Sequence, residues 1–119
     1  MHETTDKLFE RLVKTCARLR GRDGCMWDRQ QNHSSLVPFL VEETGEVRQA
    51  IEKKDMENLK EELGDLLYQI IFHSQIAAEN GEFDIDDVLK GIIDKLVRRH
   101  THLRYVRLYT FTKRKATPL

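Results

Sequence analysis

The stretch LLYQIIFHSQIAA, residues 66–78, constrains the fold more than any other part of the chain. As a helix it is apolar on nearly every side. Such a helix is stable only when neighbours bury it all round. The rest of the chain must therefore supply elements that pack against it.

Three flanking segments have the right pattern. A first helix is expected from Thr4 or Thr5, either of which can cap it. Its apolar residues Leu8, Leu12, Cys16 and Leu19 recur at spacings of three and four and share one face. GRDG, residues 21–24, ends it, and a loop CMWDRQQNH follows. A second helix opens at Ser34 or Ser35, with Pro38 in its first turn, where a missing N–H is harmless. Leu36, Phe39, Leu40, Val47, Ala50 and Ile51 form its apolar arc, and EKKD closes it. Asp55 caps the third helix, which runs to about Asn80. Gly81 then supplies a left-handed C-terminal position. Asp84 caps a fourth helix bearing Ile85, Val88, Leu89, Ile92, Ile93 and Leu96. Short turns join these helices and no strand is convincing, so the pattern predicts an all-α four-helix bundle. The final stretch, YVRLYTFTKRKATPL, lacks helical periodicity. It fits a short strand, a tail packed on a partner, or disorder. The division expected is a helical domain over residues 1–103 and a separate tail over 104–119.

Composition narrows the function classes. A chain of 119 residues suits one domain. Its 20 basic and 20 acidic residues balance, which argues against a general nucleic-acid binder. MHETTDKLFERL has no apolar signal region, and no apolar run reaches the roughly 18 residues of a membrane span. The expected location is the cytoplasm. Cys16 and Cys25 fit no metal-binding spacing and are read as reduced thiols.

Two acidic clusters stand out, EETGE at 42–46 and EELGD at 61–65. At ~100° per residue, Leu36, Leu40, Val47 and Ala50 lie within about 60° of Glu43. Glu43 thus sits in the middle of an apolar arc. Glu46 lies at its edge one turn on, and Glu42 lies further toward solvent. On the third helix, Leu59 and Leu66 flank Glu62. Asp65 is one turn on, and Gln69 and His73 continue the line. Acidic pairs at this spacing occur often by chance, and either alone reads as a solvated face. Two pairs turned inward on consecutive helices are different. Unpaired buried carboxylates cost several kcal/mol each, and facing ones repel. A divalent cation removes that cost. Mg²⁺ favours carboxylate and water oxygens, often with substrate phosphates completing its shell.

The order DGCxWDxxQxH, EExxE, EELGDLLxQxxFH and KLxRRH closely resembles the MazG family of all-α nucleoside triphosphate (NTP) pyrophosphohydrolases. The likeness covers roughly residues 18 to 102. It implies a helical bundle of the all-α NTP pyrophosphatase type that works as a homodimer or larger homo-oligomer. It implies hydrolysis of an NTP to the monophosphate and pyrophosphate with Mg²⁺, Mn²⁺ being able to substitute. By position, Glu43, Glu46, Glu62 and Asp65 are the implied metal ligands. Lys95 and Arg99 are the implied phosphate contacts, in place of a plain cationic helix end. A carboxylate left free of metal, Glu46 or Glu42, is the general-base candidate. Trp27 either stacks on the nucleobase or plugs the end of the bundle. Asp28, Arg29 and His33 are expected to fix its loop. His73 is read as a hydrogen-bonded core histidine, and His100 and His102 lack a third ligand for a metal.

The sequence departs from the family at three places. Met26 replaces the usual proline of DGCPWD, Thr101 replaces that of RRHPH, and the segment after residue 103 is not recognisable. Two other enzyme readings share the acidic pattern, a phosphoribosyl-ATP or a dUTP pyrophosphohydrolase, but the DGCxWD and RRH segments favour MazG. A helical sensor that binds nucleotide without turnover is the reading from a different class.

Overall fold

A computed structural model describes residues 2–100 and 102–103. Among these the structure is entirely helical: α1 (Thr5–Leu19), α2 (Met26–Gln30), α3 (His33–Lys53), α4 (Met56–Glu79) and α5 (Ile85–Arg99). The four long helices lie where the periodicity puts them. The fifth, α2, occupies the stretch read as a loop. Five residues are too few for a hydrophobic period to register, so only tertiary ties can reveal such a helix. The C-terminal stretch lies outside the described residues. The chain divides into two compact units, one ending at Asp84 and one beginning at Ile85.

In the first unit, α3 and α4 form an antiparallel hairpin, and α1 packs against α4. The turn between α3 and α4 is set locally. Lys54 adopts the left-handed conformation (φ 57°, ψ 33°), and Asp55 N–H donates to the Ala50 carbonyl at 3.1 Å. These bonds satisfy carbonyls that the end of α3 would otherwise leave open. The Asp55 carboxylate then accepts from the Asn58 N–H, capping α4 as expected.

The start of α3 lies one to two residues earlier than the serines indicate. Asn32 is its cap, accepting from Ser35 N–H at 2.8 Å, while Ser35 Oγ accepts from Asn32 N–H at 2.9 Å. This reciprocal box outcompetes a serine cap. Pro38 consequently falls in the second turn rather than the first. It removes the amide that would have bonded the exposed Ser34 carbonyl.

The core sits on the second half of α4, as its all-round apolar pattern requires. Ile71, Phe72, Ile76 and Ala77 are buried there, and Cys16 of α1 and Leu36 and Ala50 of α3 are the other buried apolar side chains among the described residues. Gly81 follows α4 at φ 70°, the left-handed position expected of it. Both cysteines are free thiols. No described helix is long and apolar enough to cross a membrane.

The GRDG turn is held tightly to α1. Cys25 N–H donates to the Leu19 carbonyl at 2.8 Å. A Cβ on Gly24 would stand 2.1 Å from the Leu19 carbonyl oxygen and 2.5 Å from that of Arg18. Both are backbone atoms and neither can swing aside. Gly24→Ala is therefore expected to destabilise the protein by about 1–3 kcal/mol through forced backbone movement. A urea-unfolding midpoint measures it. Gly45→Ala, with open space around it, is the matched control.

In the second unit, α5 carries Asp86 and Asp87 in its first turn and Arg98 and Arg99 in its last. This arrangement complements the helix dipole at both ends. Its apolar residues from Ile85 to Leu96 fall at spacings of three and four, an amphipathic pattern.

Candidate metal centre

The α3–α4 hairpin brings the two acidic clusters together. Their carboxylates come from the two helices of an antiparallel pair, so residue 43 faces residues 62 and 65. One oxygen each from Glu43, Glu62 and Asp65 lie within 4.8 Å of one another. Glu43 and Glu62 are half-buried and Asp65 is exposed. That fits a cation reached from solvent on one side and walled by the hairpin on the other.

The electrostatics match the crowding. Partial burial pushes the Glu43 carboxyl above the usual carboxylate range, and the charges of Asp65, Glu62, Glu42 and Glu46 push it further. Glu62 is raised in the same way, first by desolvation and then by Asp65, Glu46 and Glu61. Repulsion of this kind is what a divalent cation relieves. Three hard oxygen donors suit Mg²⁺ or Mn²⁺ better than a soft thiolate-seeking metal.

The family resemblance implies four ligands, and the geometry groups three of them. Glu46 does not join the group that can share one ion. It is half-buried nearby, and its charge is felt at both Glu43 and Glu62. Glu42 is exposed and acts on Glu43 by charge. Lys95 and Arg99 are one turn apart on α5, in the second unit.

Trp27 lies on α2 and is 47% exposed. Its ring meets Phe39 edge-on at 5.5 Å and Phe72 edge-on at 6.4 Å between centroids. The ring is thus packed against two others and about half exposed. Asp28 does help fix this segment. It is buried, and its carboxylate accepts from the Tyr68 hydroxyl at 3.4 Å. His33 reaches α4, with its Nδ1 2.7 Å from His73 Nδ1 and the two rings parallel within 2°. His73 is thus half-buried and partnered at Nδ1, while its Nε2 is buried without a hydrogen-bond partner. Burial and then His33 hold it below the ordinary histidine range.

One residue escaped the sequence reading. Arg20, just past α1, donates from Nη1 to the carbonyls of Asp28 at 2.6 Å and Gln31 at 3.0 Å. Its partners are distant or are backbone atoms, so no motif announces it.

A helical hairpin that gathers a carboxylate trio defines the class of protein, one that is helical among the described residues and carries a candidate metal centre. The family follows from comparison with known proteins. The MazG nucleotide pyrophosphohydrolase domain matches residues 31–104, and the chain belongs to that family. It is 51% identical over 96 residues to the nucleoside triphosphate pyrophosphohydrolase/pyrophosphatase MazG of Thermotoga maritima, covering 81% of this chain and 38% of that protein. It is 45% identical over 96 residues to the nucleoside triphosphate pyrophosphohydrolase of Escherichia coli K12, covering 80% and 36%. The protein of that name in Mycobacterium tuberculosis is 42% identical over 93 residues, covering 76% and 29%. The chain thus spans little more than a third, at most, of these curated relatives.

Proposed function

We propose that the protein is a Mg²⁺-dependent nucleoside triphosphate pyrophosphohydrolase, cleaving NTP and water to the monophosphate and pyrophosphate. The observation that carries this reading is the convergence of Glu43, Glu62 and Asp65 within one cation's reach. Family membership and the names of the relatives support it.

Glu43, Glu62 and Asp65 would hold the cation. Bound there, Mg²⁺ supplies positive charge against the phosphoryl oxygens and favours ionisation of water. The protein's own groups do the rest. Glu46 is the preferred general base, with Glu42 the second candidate. It is close enough to feel the trio electrostatically yet outside the set that shares an ion, which leaves its carboxylate free to take a proton from water. Lys95 and Arg99 neutralise the triphosphate and the departing pyrophosphate. Trp27, half exposed, stacks on the base. The chain works as a homodimer or tetramer. Val37, Val41, Leu63, Leu67 and Ile70 of the hairpin remain exposed in a single chain, an unusual cost unless a second copy covers them. The biological role is removal of unwanted nucleotides from the cytoplasmic pool.

The test is product identification. Each common NTP is incubated with the protein in Mg²⁺ or in EDTA, and both products are quantified. Monophosphate and pyrophosphate in equal amounts, with Mg²⁺ only, are expected. Release of diphosphate and inorganic phosphate would refute the reaction.

The raised carboxyls predict a pH dependence. Glu43 and Glu62 hold protons more tightly when folded than when unfolded. Their desolvation, and then repulsion from the neighbouring carboxylates, therefore weaken the fold above the native pKa values. Both are relieved as pH falls through them toward the ordinary carboxylate value of about 4. Mg²⁺ relieves the same repulsion but must displace those protons. Added Mg²⁺ should raise the melting temperature at neutral pH. The rise should shrink as pH falls through the raised pKa values and vanish near about pH 4. Thermal melts with Mg²⁺ and with EDTA across that range measure it.

A further inference from the structure

We propose that Arg20 is a positioning residue for Trp27, holding α2 so that the half-exposed indole stays placed to receive the nucleobase. This rests on the proposed function above, in which Trp27 receives the base.

Helix α2 has only five residues, Met26–Gln30, and its N-cap Cys25 makes no side-chain capping bond. A helix that short does not hold itself in water. Its placement depends on outside donors. Arg20 supplies them at the C-terminal end, where the Asp28 and Gln31 carbonyls both accept from Nη1. A guanidinium at that end also meets the negative pole of the helix. The other half of the same guanidinium forks onto Glu79, the last residue of α4, with Nε and Nη2 each 2.9 Å from a carboxylate oxygen. The Glu79 bond holds Arg20 charged, and Arg20 in turn depresses the Glu79 carboxyl.

The geometry continues to the indole. The Arg20 side chain is only 8% exposed. Its Cζ stands 5.3 Å from the centre of the Phe72 ring, and Phe72 meets Trp27 edge-on. Arg20 thus fixes Trp27 by two routes, through the backbone of α2 and through the ring beneath it. Lysine cannot replace it. An ammonium lacks the planar fork that bonds two carbonyls and a carboxylate at once.

Trp27 is the chain's one tryptophan, so intrinsic fluorescence reports on this ring alone. Acrylamide quenching would be measured on wild type, Arg20→Lys and Glu79→Gln, and NTP kinetics on these three together with Trp27→Ala and the Arg20→Lys/Trp27→Ala double variant. In Arg20→Lys, quenching should rise at least about twofold, and KM should rise roughly fivefold to tenfold with kcat within about twofold. Trp27→Ala should raise KM similarly, and the double variant no further, because Arg20 acts through the indole. Glu79→Gln leaves Nη1 on the α2 carbonyls. It should lower the melting temperature while quenching and KM stay near wild type. If Arg20→Lys does not fold, Arg20→Met with Glu79→Leu removes both charges together, which a fold tolerates better than one orphaned charge. That pair should show the same rise in quenching.

Unchanged quenching in the folded Arg20 variants would overturn the proposal. So would KM effects that multiply in the double variant, or Glu79→Gln matching Arg20→Lys in both readouts. An unchanged KM in Trp27→Ala would also overturn it, because the indole would not be a substrate platform. The hydrolytic reading would survive that result, since it stands on Mg²⁺-dependent product release. Absence of pyrophosphate from the wild type would instead sink the hydrolytic reading.

Discussion

Glu62→Gln is expected to lower Mg²⁺-dependent pyrophosphate release by at least about 100-fold while raising the metal-free melting temperature. The two effects share one cause. Glu62 belongs to the carboxylate trio, and its own ionisation is opposed by desolvation and by the charges of Asp65, Glu46 and Glu61. An amide of the same shape removes that repulsion, so the apo fold gains. It also removes one anionic ligand, so cation binding weakens and the positive charge needed at the phosphates is lost. A surface glutamate would show neither effect. A residue needed only for folding would lose activity and stability together. Opposite signs for rate and apo stability are therefore diagnostic. Steady-state assays beside circular-dichroism melts in EDTA give both numbers. Loss of activity with a lowered melting temperature would assign Glu62 a structural role.

Phe72→Ala is expected to cost about 3–5 kcal/mol of folding stability. Phe72 is 1% exposed in the second half of α4. It meets Tyr68 edge-on at 5.7 Å as well as Trp27, and Arg20 lies over its face. The close-packed interior around it cannot collapse fully into the space an alanine leaves. Chemical denaturation measures the loss. Phe72→Leu, which retains most of the volume, should cost distinctly less. Equal losses for both variants would mean that ring contacts, not volume, hold this part of the core.

Much of this architecture is legible in the sequence because it is local. The α3–α4 hairpin follows from apolar spacing, the Asp55 cap and Gly81. With it comes the facing of Glu43 toward Glu62 and Asp65, since antiparallel neighbours oppose residues in a fixed sum. The start of α3 was displaced because Asn32 and Ser35 form a reciprocal cap that competes with Ser34, and serine patterns alone do not rank the two. Helix α2 left no periodic trace in five residues. Arg20 was invisible for a different reason. Its partner Glu79 is 59 residues away, and its other acceptors are carbonyls that every residue possesses. The paired rings of His33 and His73, 40 residues apart, are likewise a product of the hairpin rather than of any motif. The setting of Glu46 beside rather than within the trio depends on side-chain reach across the hairpin. A helical wheel gives direction but not reach.

The most direct test of the metal centre is a Mn²⁺ titration followed by electron paramagnetic resonance of the free ion, on wild type and Glu62→Gln at neutral pH. Mn²⁺ takes the same oxygen ligands as Mg²⁺ and loses its sharp free-ion signal when bound. The account predicts saturable binding by the wild type, competed by Mg²⁺ and weakened at least about tenfold in the variant. Binding of equal strength in both proteins would place the cation elsewhere and contradict the assignment of Glu43, Glu62 and Asp65.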